Sequence, residues 1–271
     1  MKYCLSVGLH NLFFDLAIVD SNHNLIKKYK CNYDRSKDIS NNIYLAYRKY
    51  FSKYHIDYVG VGISNNIRFK DDFVYSITAF SFNRYNLKQS LYKLFKKEVL
   101  IVEETYLASL AASYKLDSHS LLYLVVDNRI SNSIVVDHNI VELDDDIDLR
   151  NNEPLHTKCS KDAFKAAFLA NDFDDDYVGG YFLSSDKICN EIVSKWSKNL
   201  SYYIEKILKE LPVDDIIFAG YLGEYLKYFE KYLSINKKVR CMGGCDHRQL
   251  TLIGVSHLIF KDSCLNLENK F

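Results

Sequence analysis

Proline is nearly missing from this chain, with two residues in 271, and tryptophan occurs once. That scarcity, beside 22 tyrosines, is compositional and carries no mechanism. No apolar run approaches the roughly 20 residues that a bilayer-spanning helix needs, so no membrane partner is expected. Lys and Arg total 35 and Asp and Glu total 35, so the formal net charge is zero. Nothing in that balance favours a nucleic acid or an anionic lipid surface. The cysteines number seven, an odd count without a repeating interval, which excludes a regular disulfide framework. Reduced thiols and a cytoplasmic location are the matching expectation. Met1-Lys2-Tyr3 runs straight into a strand pattern and reads as no signal peptide. Ser-His-Asp, Walker-type and dinucleotide signatures are also missing. What remains is an ordinary folded composition, 48% hydrophobic and 26% charged, long enough for one large domain or two lobes.

Periodicity then divides the chain. Cys4–Val7 and Phe13–Val19 read as two strands around a turn at Gly8–Leu12, with a third strand at Leu25–Cys31. A helix is expected over Lys37–Tyr54, with Ile43, Ala46, Tyr47, Tyr50 and Phe51 on one face. Tyr58–Ile63 reads as a buried strand, and a helix from Tyr85 or Asn86 carries Leu87, Leu91, Leu94 and Phe95. Val99–Val102 is a strand that runs directly into a small-residue helix, Glu104–Tyr114. The second half reopens the theme with Leu121–Val126, a polar turn at Asp127–Ser131, Ser133–Val136 and Ile140–Leu143. Asp144–Asn152 reads as a loop, and Ser160 caps a helix through Ala170. The longest helix is expected from Ser184 or Ser185 to Leu211, on Ile188, Ile192, Trp196, Leu200, Ile204 and Leu208, until Pro212 stops it. A strand at Asp215–Ala219, a helix at Glu224–Leu233, a strand at Lys238–Met242 and a helix at Gln249–Phe260 close the chain. Two halves that open alike suggest an internal duplication.

Several clusters carry chemistry and each has a plainer reading. Glu103 and Glu104 put two carboxylates at a strand end, as acid–base groups or as negative charge favoured by a helix N-terminus. His10 stands in the first turn, either as a positive contact or as an exposed turn histidine. Gly179-Gly180 marks a hinge, a lid or a mobile loop. Cys241-Met242-Gly243-Gly244-Cys245-Asp246-His247 brings two thiols and an imidazole together. A four-ligand zinc site would need further partners, for which His156 and Cys159 are candidates, and a Gly-Gly turn opening the last helix is preferred, so no metal is expected there.

The ordered set of Asp57–Ser64, Val99–Ala112, Asp214–Gly220 and Leu252–Val255 resembles the ROK family (repressors, uncharacterised frames and sugar kinases) over most of the chain. The resemblance implies an α/β protein of two lobes with the duplicated actin/hexokinase-like (ribonuclease H-like) fold. Each lobe is expected around a mixed five-stranded sheet, with a central cleft between them. The first lobe would span residues 1–115 with the final helix 251–271, and the second 116–250. Glu104 stands where the family has its general-base aspartate, and Glu103 where an asparagine meets the sugar. Asn65, at the place of a Pro-Gly turn, and Asn83 are the other expected sugar contacts. Gly8, His10, Asn11, Asn128, Ser131, Gly220 and Gly223 are the expected nucleotide contacts, with ATP and Mg²⁺ as the implied cofactors of an active relative. The departures are as informative. The family's Asp-x-Gly-Gly-Thr turn is here Gly8-Leu9-His10-Asn11-Leu12, and its Gly-Thr-Gly-x-Gly turn is Asp127-Asn128-Arg129-Ile130-Ser131. Backbone approaches phosphate closely where no Cβ intervenes, and these turns hold one glycine between them. Two expectations follow: a catalytically impaired sugar-kinase relative that works in binding or scaffolding, or a divergent ATP-dependent hexose kinase with Glu104 as its base. A sugar, a nucleotide and a second copy of the chain are the implied partners. No helix-turn-helix precedes the first strand, which argues against the repressor branch.

Overall fold

Near-continuous apolar runs, buried along their length, build two sheets of the same design. The computed structural model describes residues 1–82, 84–144, 148–149, 152–173 and 178–261. In the first sheet Tyr3–Leu9 (β1), Phe13–Asp20 (β2) and Leu25–Asn32 (β3) form an antiparallel meander. Tyr58–Ile63 (β4) then adds parallel to β1, and after a small three-stranded sheet (β5, Phe69–Lys70; β6, Phe73–Val74; β7, Tyr85–Asn86) Glu98–Glu103 (β8) adds parallel to β4. The order is β3-β2-β1-β4-β8. Ser120–Val126 (β9), Ile130–Val136 (β10), Asn139–Val141 (β11), Asp215–Ala219 (β12) and Lys238–Cys241 (β13) repeat it as β11-β10-β9-β12-β13, with β9, β12 and β13 parallel. Meander followed by two parallel additions, twice over, is the duplicated mixed-sheet architecture of the actin/hexokinase type.

The chain divides into two units, Met1–Ala112 with the residues from Arg248 on, and Ser113–His247. In the first, Ile39–Phe51 (α1) and Leu87–Phe95 (α2) are capped by the side chains of Asp38 and Asn86. Both bury apolar residues with β1 and β4, among them Ile43, Phe51, Leu87 and Leu91. On a separate core of the same unit, Glu104–Leu116 (α3) and Gly244–Lys261 (α10) bring Leu107, Leu252 and Val255 against Cys4, Ala17 and Val19. The approach is close enough to dictate sequence. A Cβ on Gly60 would lie 2.1 Å from Val255 Cγ1, and one on Gly62 2.5 Å from Thr251 Cγ2.

The last helix is also tied to the β2–β3 turn. His23, at φ 64°, stacks its ring on His257 with centroids 3.8 Å apart. Ser256 Oγ donates to Ile253 O, so it accepts from His23 Nδ1–H at 2.9 Å. Burial holds His23 below its usual titration range, against the opposing pull of Asp20. A histidine depressed in the folded state contributes stability above pH 6.5 and loses it as pH falls. His23→Asn should therefore flatten part of the decline in urea-unfolding stability between pH 7.5 and 5.5; an unchanged slope would reject the linkage.

In the second unit Glu153–Cys159 (α4), Lys161–Leu169 (α5), Val178–Leu183 (α6) and Lys187–Glu210 (α7) cover the sheet. Here the sequence expectations need correction. The α7 cap is Asp186, one residue beyond Ser185. Its buried face is Cys189, Val193, Trp196, Ser197, Leu200, Ile204 and Ile207, whereas Ile188 is exposed. Each step of four overshoots a 3.6-residue turn by about 40°, so a ladder of such steps winds off the core. Gly179-Gly180 lies in α6, not in a loop, and a Cβ at Gly179 would meet Tyr225 Oη at 2.3 Å. A short helix, Gly220–Gly223 (α8), precedes the expected helix Glu224–Leu233, which is broken into Leu226–Phe229 (α9) and a 3₁₀ turn, Glu230–Tyr232. Tyr225 stacks on Phe182, and Phe229 meets Trp196 edge-on. α10 opens at Gly244, earlier than Gln249, in the Gly-Gly turn.

Candidate functional site

Three parallel strands of the first unit end side by side, β1 at Leu9, β4 at Ile63 and β8 at Glu103. Side chains that follow such strand ends converge, which is why open α/β sheets hold ligands there. Glu104, the first residue of α3, is buried there, and its Oε1 accepts the Asn65 N–H at 3.2 Å. Its Oε2 lies 3.9 Å from His10 Nδ1. The other ring nitrogen, Nε2, is 3.5 Å from Asp15 Oδ2, and Arg248 Nε is 3.4 Å from that oxygen. A carboxylate, an imidazole, a second carboxylate and a guanidinium thus follow one another in a row. Glu103 and Asn65 are half-buried beside this row, and Asn83 lies outside the described residues.

Asp15 and Arg248 are the members that sequence reasoning missed. Asp15 was legible as a lone carboxylate inside Phe13–Val19, a strand buried on both faces, where a charge needs a partner. It pairs directly across the hairpin from Gly8. Arg248 had no local signal, since α10 returns to the first sheet from far along the chain.

The expected turn residues are distributed differently. Gly8 is inside β1 rather than in the turn, and a Cβ there would come 3.4 Å from His10 Nε2. Asn11 is engaged by the protein: its Oδ1 accepts Thr78 N–H at 3.2 Å and its Nδ2 donates to Asn66 O at 3.4 Å. Its carbonyl accepts Ala79 N–H at 3.2 Å, so it brackets the segment after β4 onto the hairpin.

In the second unit the β9–β10 turn is Asp127–Arg129, because Ile130 and Ser131 are already in β10. Ser131 is fully buried opposite Val125. The Asp127 carboxylate accepts the Asn128 N–H at 2.8 Å, and Arg129 Nη2 is 3.4 Å from Glu153 Oε1. Gly220 has φ +81°, and a Cβ on it would sit 3.0 Å from Val126 O, so backbone geometry alone demands glycine. A Cβ on Gly223 would meet the Phe218 carbonyl carbon at 3.0 Å. Tyr221 is exposed between them, with Lys161 Nζ 4.2 Å from its ring centre. His156 Nδ1 accepts Ile130 N–H, and Cys241 Sγ donates to Gly223 O. Among the described residues no three His, Cys, Asp or Glu side chains are grouped to hold a metal ion.

No family model matches the sequence, and no curated protein is similar to it. Solved structures are. The ROK hexokinase from Thermus thermophilus superposes with a TM-score of 0.79 at 14% identity, covering 96% of this chain and 100% of that one. The fold is that of the ROK sugar kinases. A ROK family protein from Streptococcus pneumoniae TIGR4, solved in complex with sucrose, gives a TM-score of 0.72 at 9% identity, over 96% and 100% of the two chains. A ROK family glucokinase from Streptomyces griseus, in complex with glucose and AMPPNP, gives 0.65 at 12% identity, over 95% and 99%. The ROK fold therefore extends over the chain while few side chains are shared. No described helix is long and apolar enough to cross a membrane.

Proposed function

We propose that this protein is a ROK-type sugar-kinase homologue that retains a sugar site around Glu104, Glu103 and Asn65 and has lost ATP-driven phosphoryl transfer. It acts in binding or scaffolding in the cytoplasm, as a homodimer. The observation that carries this reading is the Asp127 carboxylate on the Asn128 N–H. A phosphate-cradling turn needs backbone donors and no fixed negative charge beside them. Here one donor is engaged and an anion stands in the turn. Asn11 is engaged elsewhere, and Gly8 carries no carboxylate for magnesium. These residues do not fit ATP with Mg²⁺.

The test is direct. ATP with Mg²⁺ at millimolar concentration should leave the melting temperature within about 1 °C, and a hexose panel should yield no sugar phosphate. Light scattering should return twice the chain mass. A nucleotide-dependent shift with sugar phosphate formed would overturn the impaired reading.

The second reading, an active kinase with Glu104 as base, is favoured by one observation, the Asn65 N–H that fixes Glu104 Oε1. A base must be held within hydrogen-bond reach of the proton it takes, and misplacement by an ångström costs about 10²-fold. On that reading Glu104→Gln abolishes turnover with the melting temperature nearly unchanged, and persistent turnover would reject Glu104.

A further inference from the structure

The row Glu104–His10–Asp15–Arg248 has a feature that neither family likeness nor helix capping accounts for. His10 presents one ring nitrogen to each of two carboxylates, Nε2 to Asp15 and Nδ1 to Glu104. The Asp15 side chain is 5% exposed, and its Oδ2 has no hydrogen bond as the atoms stand; nor has His10 Nε2. A buried carboxylate in a strand core persists only where its charge is compensated. The groups within reach are the imidazole and the Arg248 guanidinium. The cross-strand neighbour of Asp15 is Gly8, whose missing Cβ leaves the imidazole room to lie over β1.

We infer that Asp15 is a positioning residue that acts on Glu104 through His10. With a carboxylate facing Nε2, the neutral ring carries its proton there and leaves the Nδ1 lone pair toward Glu104 Oε2. Nδ1 is then the acceptor for a proton carried on Glu104, and the imidazolium form is compensated from both sides. The logic is that of a carboxylate fixing the tautomer of an imidazole that serves a third group. Separations of 3.5 and 3.9 Å exceed hydrogen-bond length, as is common for such groups before a ligand closes the site. Arg248 Nε, 3.4 Å from the same Asp15 oxygen, supplies a second positive partner to that carboxylate. The inference rests on the reading of Glu104 as the group that meets a hydroxyl, and it names what prepares Glu104 for that contact.

The test reads the ring directly. Two-bond ¹H–¹⁵N spectra of the full chain at pH 8, assigned by the signals lost in His10→Gln, should give protonated Nε2 and bare Nδ1. Asp15→Asn offers an amide donor in place of the carboxylate and should move the proton to Nδ1. A folded Asp15→Asn protein with the wild-type tautomer, or a wild-type ring protonated at Nδ1, would overturn the inference. If Asp15→Asn does not fold, Glu104→Gln supplies the second variant. With Asp15 still facing Nε2 the ring proton should stay on Nε2, and a ring protonated at Nδ1 would overturn the inference equally. D-glucose added to the wild-type protein probes the sugar-site reading by itself. Shifts confined to His10, Asn65 and Glu104 would support it, and a silent titration would sink that reading without altering the tautomer result.

Discussion

Gly254→Ala is expected to be the most damaging single methyl group in the first unit, costing about 3 kcal/mol or preventing folding altogether. A Cβ at Gly254 would lie 2.0 Å from Leu107 O and 2.5 Å from its carbonyl carbon. Both are backbone atoms of α3, so no rotamer change relieves the overlap. The helices must separate instead, and every apolar contact between Leu107, Leu252 and Val255 loosens with them. Overpacking commonly costs about 1–3 kcal/mol, and the rigid obstacle places this case at the upper end or beyond. Gly179→Ala is the informative contrast. Its overlap is with Tyr225 Oη, the far end of a side chain that can swing aside, so a loss under about 1.5 kcal/mol is expected. Urea unfolding of the two variants checks the pair. Equal losses would show that the α3–α10 approach is not rigid.

Trp196→Ala should cost the second unit about 3–5 kcal/mol, the range for deleting a large buried aromatic side chain. Trp196 is 4% exposed, packs edge-on against Phe164 at 5.2 Å and against Phe229 at 5.0 Å, and donates Nε1–H to Cys159 O at 2.9 Å. Truncation leaves a cavity and strips a buried carbonyl of its partner. Trp196→Phe keeps most of the ring and loses the hydrogen bond, so about 1–2 kcal/mol is expected. Hydrogen exchange localises the effect: amides of residues 120–126 and 187–210 should lose protection while those of β1 and β4 keep theirs. Uniform loss across the chain would show the two units to unfold as one.

Pattern and composition were enough to place most of the sheet strands, which are short apolar runs bounded by turns, and α1, α2 and α5, which bury one face behind a capping side chain; α3 showed as a run of small residues that starts where β8 ends. Asp57–Ser64 is a case in point: an apolar run with two glycines reads as a central strand from local information. Patterns failed where distant packing chose the outcome. Ile188 looked like core and is exposed, since the winding of a long helix is referenced to a sheet that the periodicity does not contain. The helix foreseen at Glu224–Leu233 gave way to shorter pieces because the aromatic packing of Tyr225 and Phe229 outweighed propensity over so few residues. The three short strands β5, β6 and β7 offered too few residues to show any period.

The candidate site divides along the same line. Glu104 could be singled out from its place at a strand-to-helix junction, and the scarcity of glycine in the two hairpin turns was plain from residue identity. The order of strand and helix patterns thus foreshadowed the architecture, and residue types the single glycine in those turns. Asp15 facing His10, Arg248 arriving behind it, Asn11 turned into a bracket and Asp127 closing on its own turn were settled only by the folded chain. The reason is physical: a hydrogen bond or ion pair depends on separations of a few ångströms between groups brought together by chain reversal, and neither spacing nor composition encodes those distances.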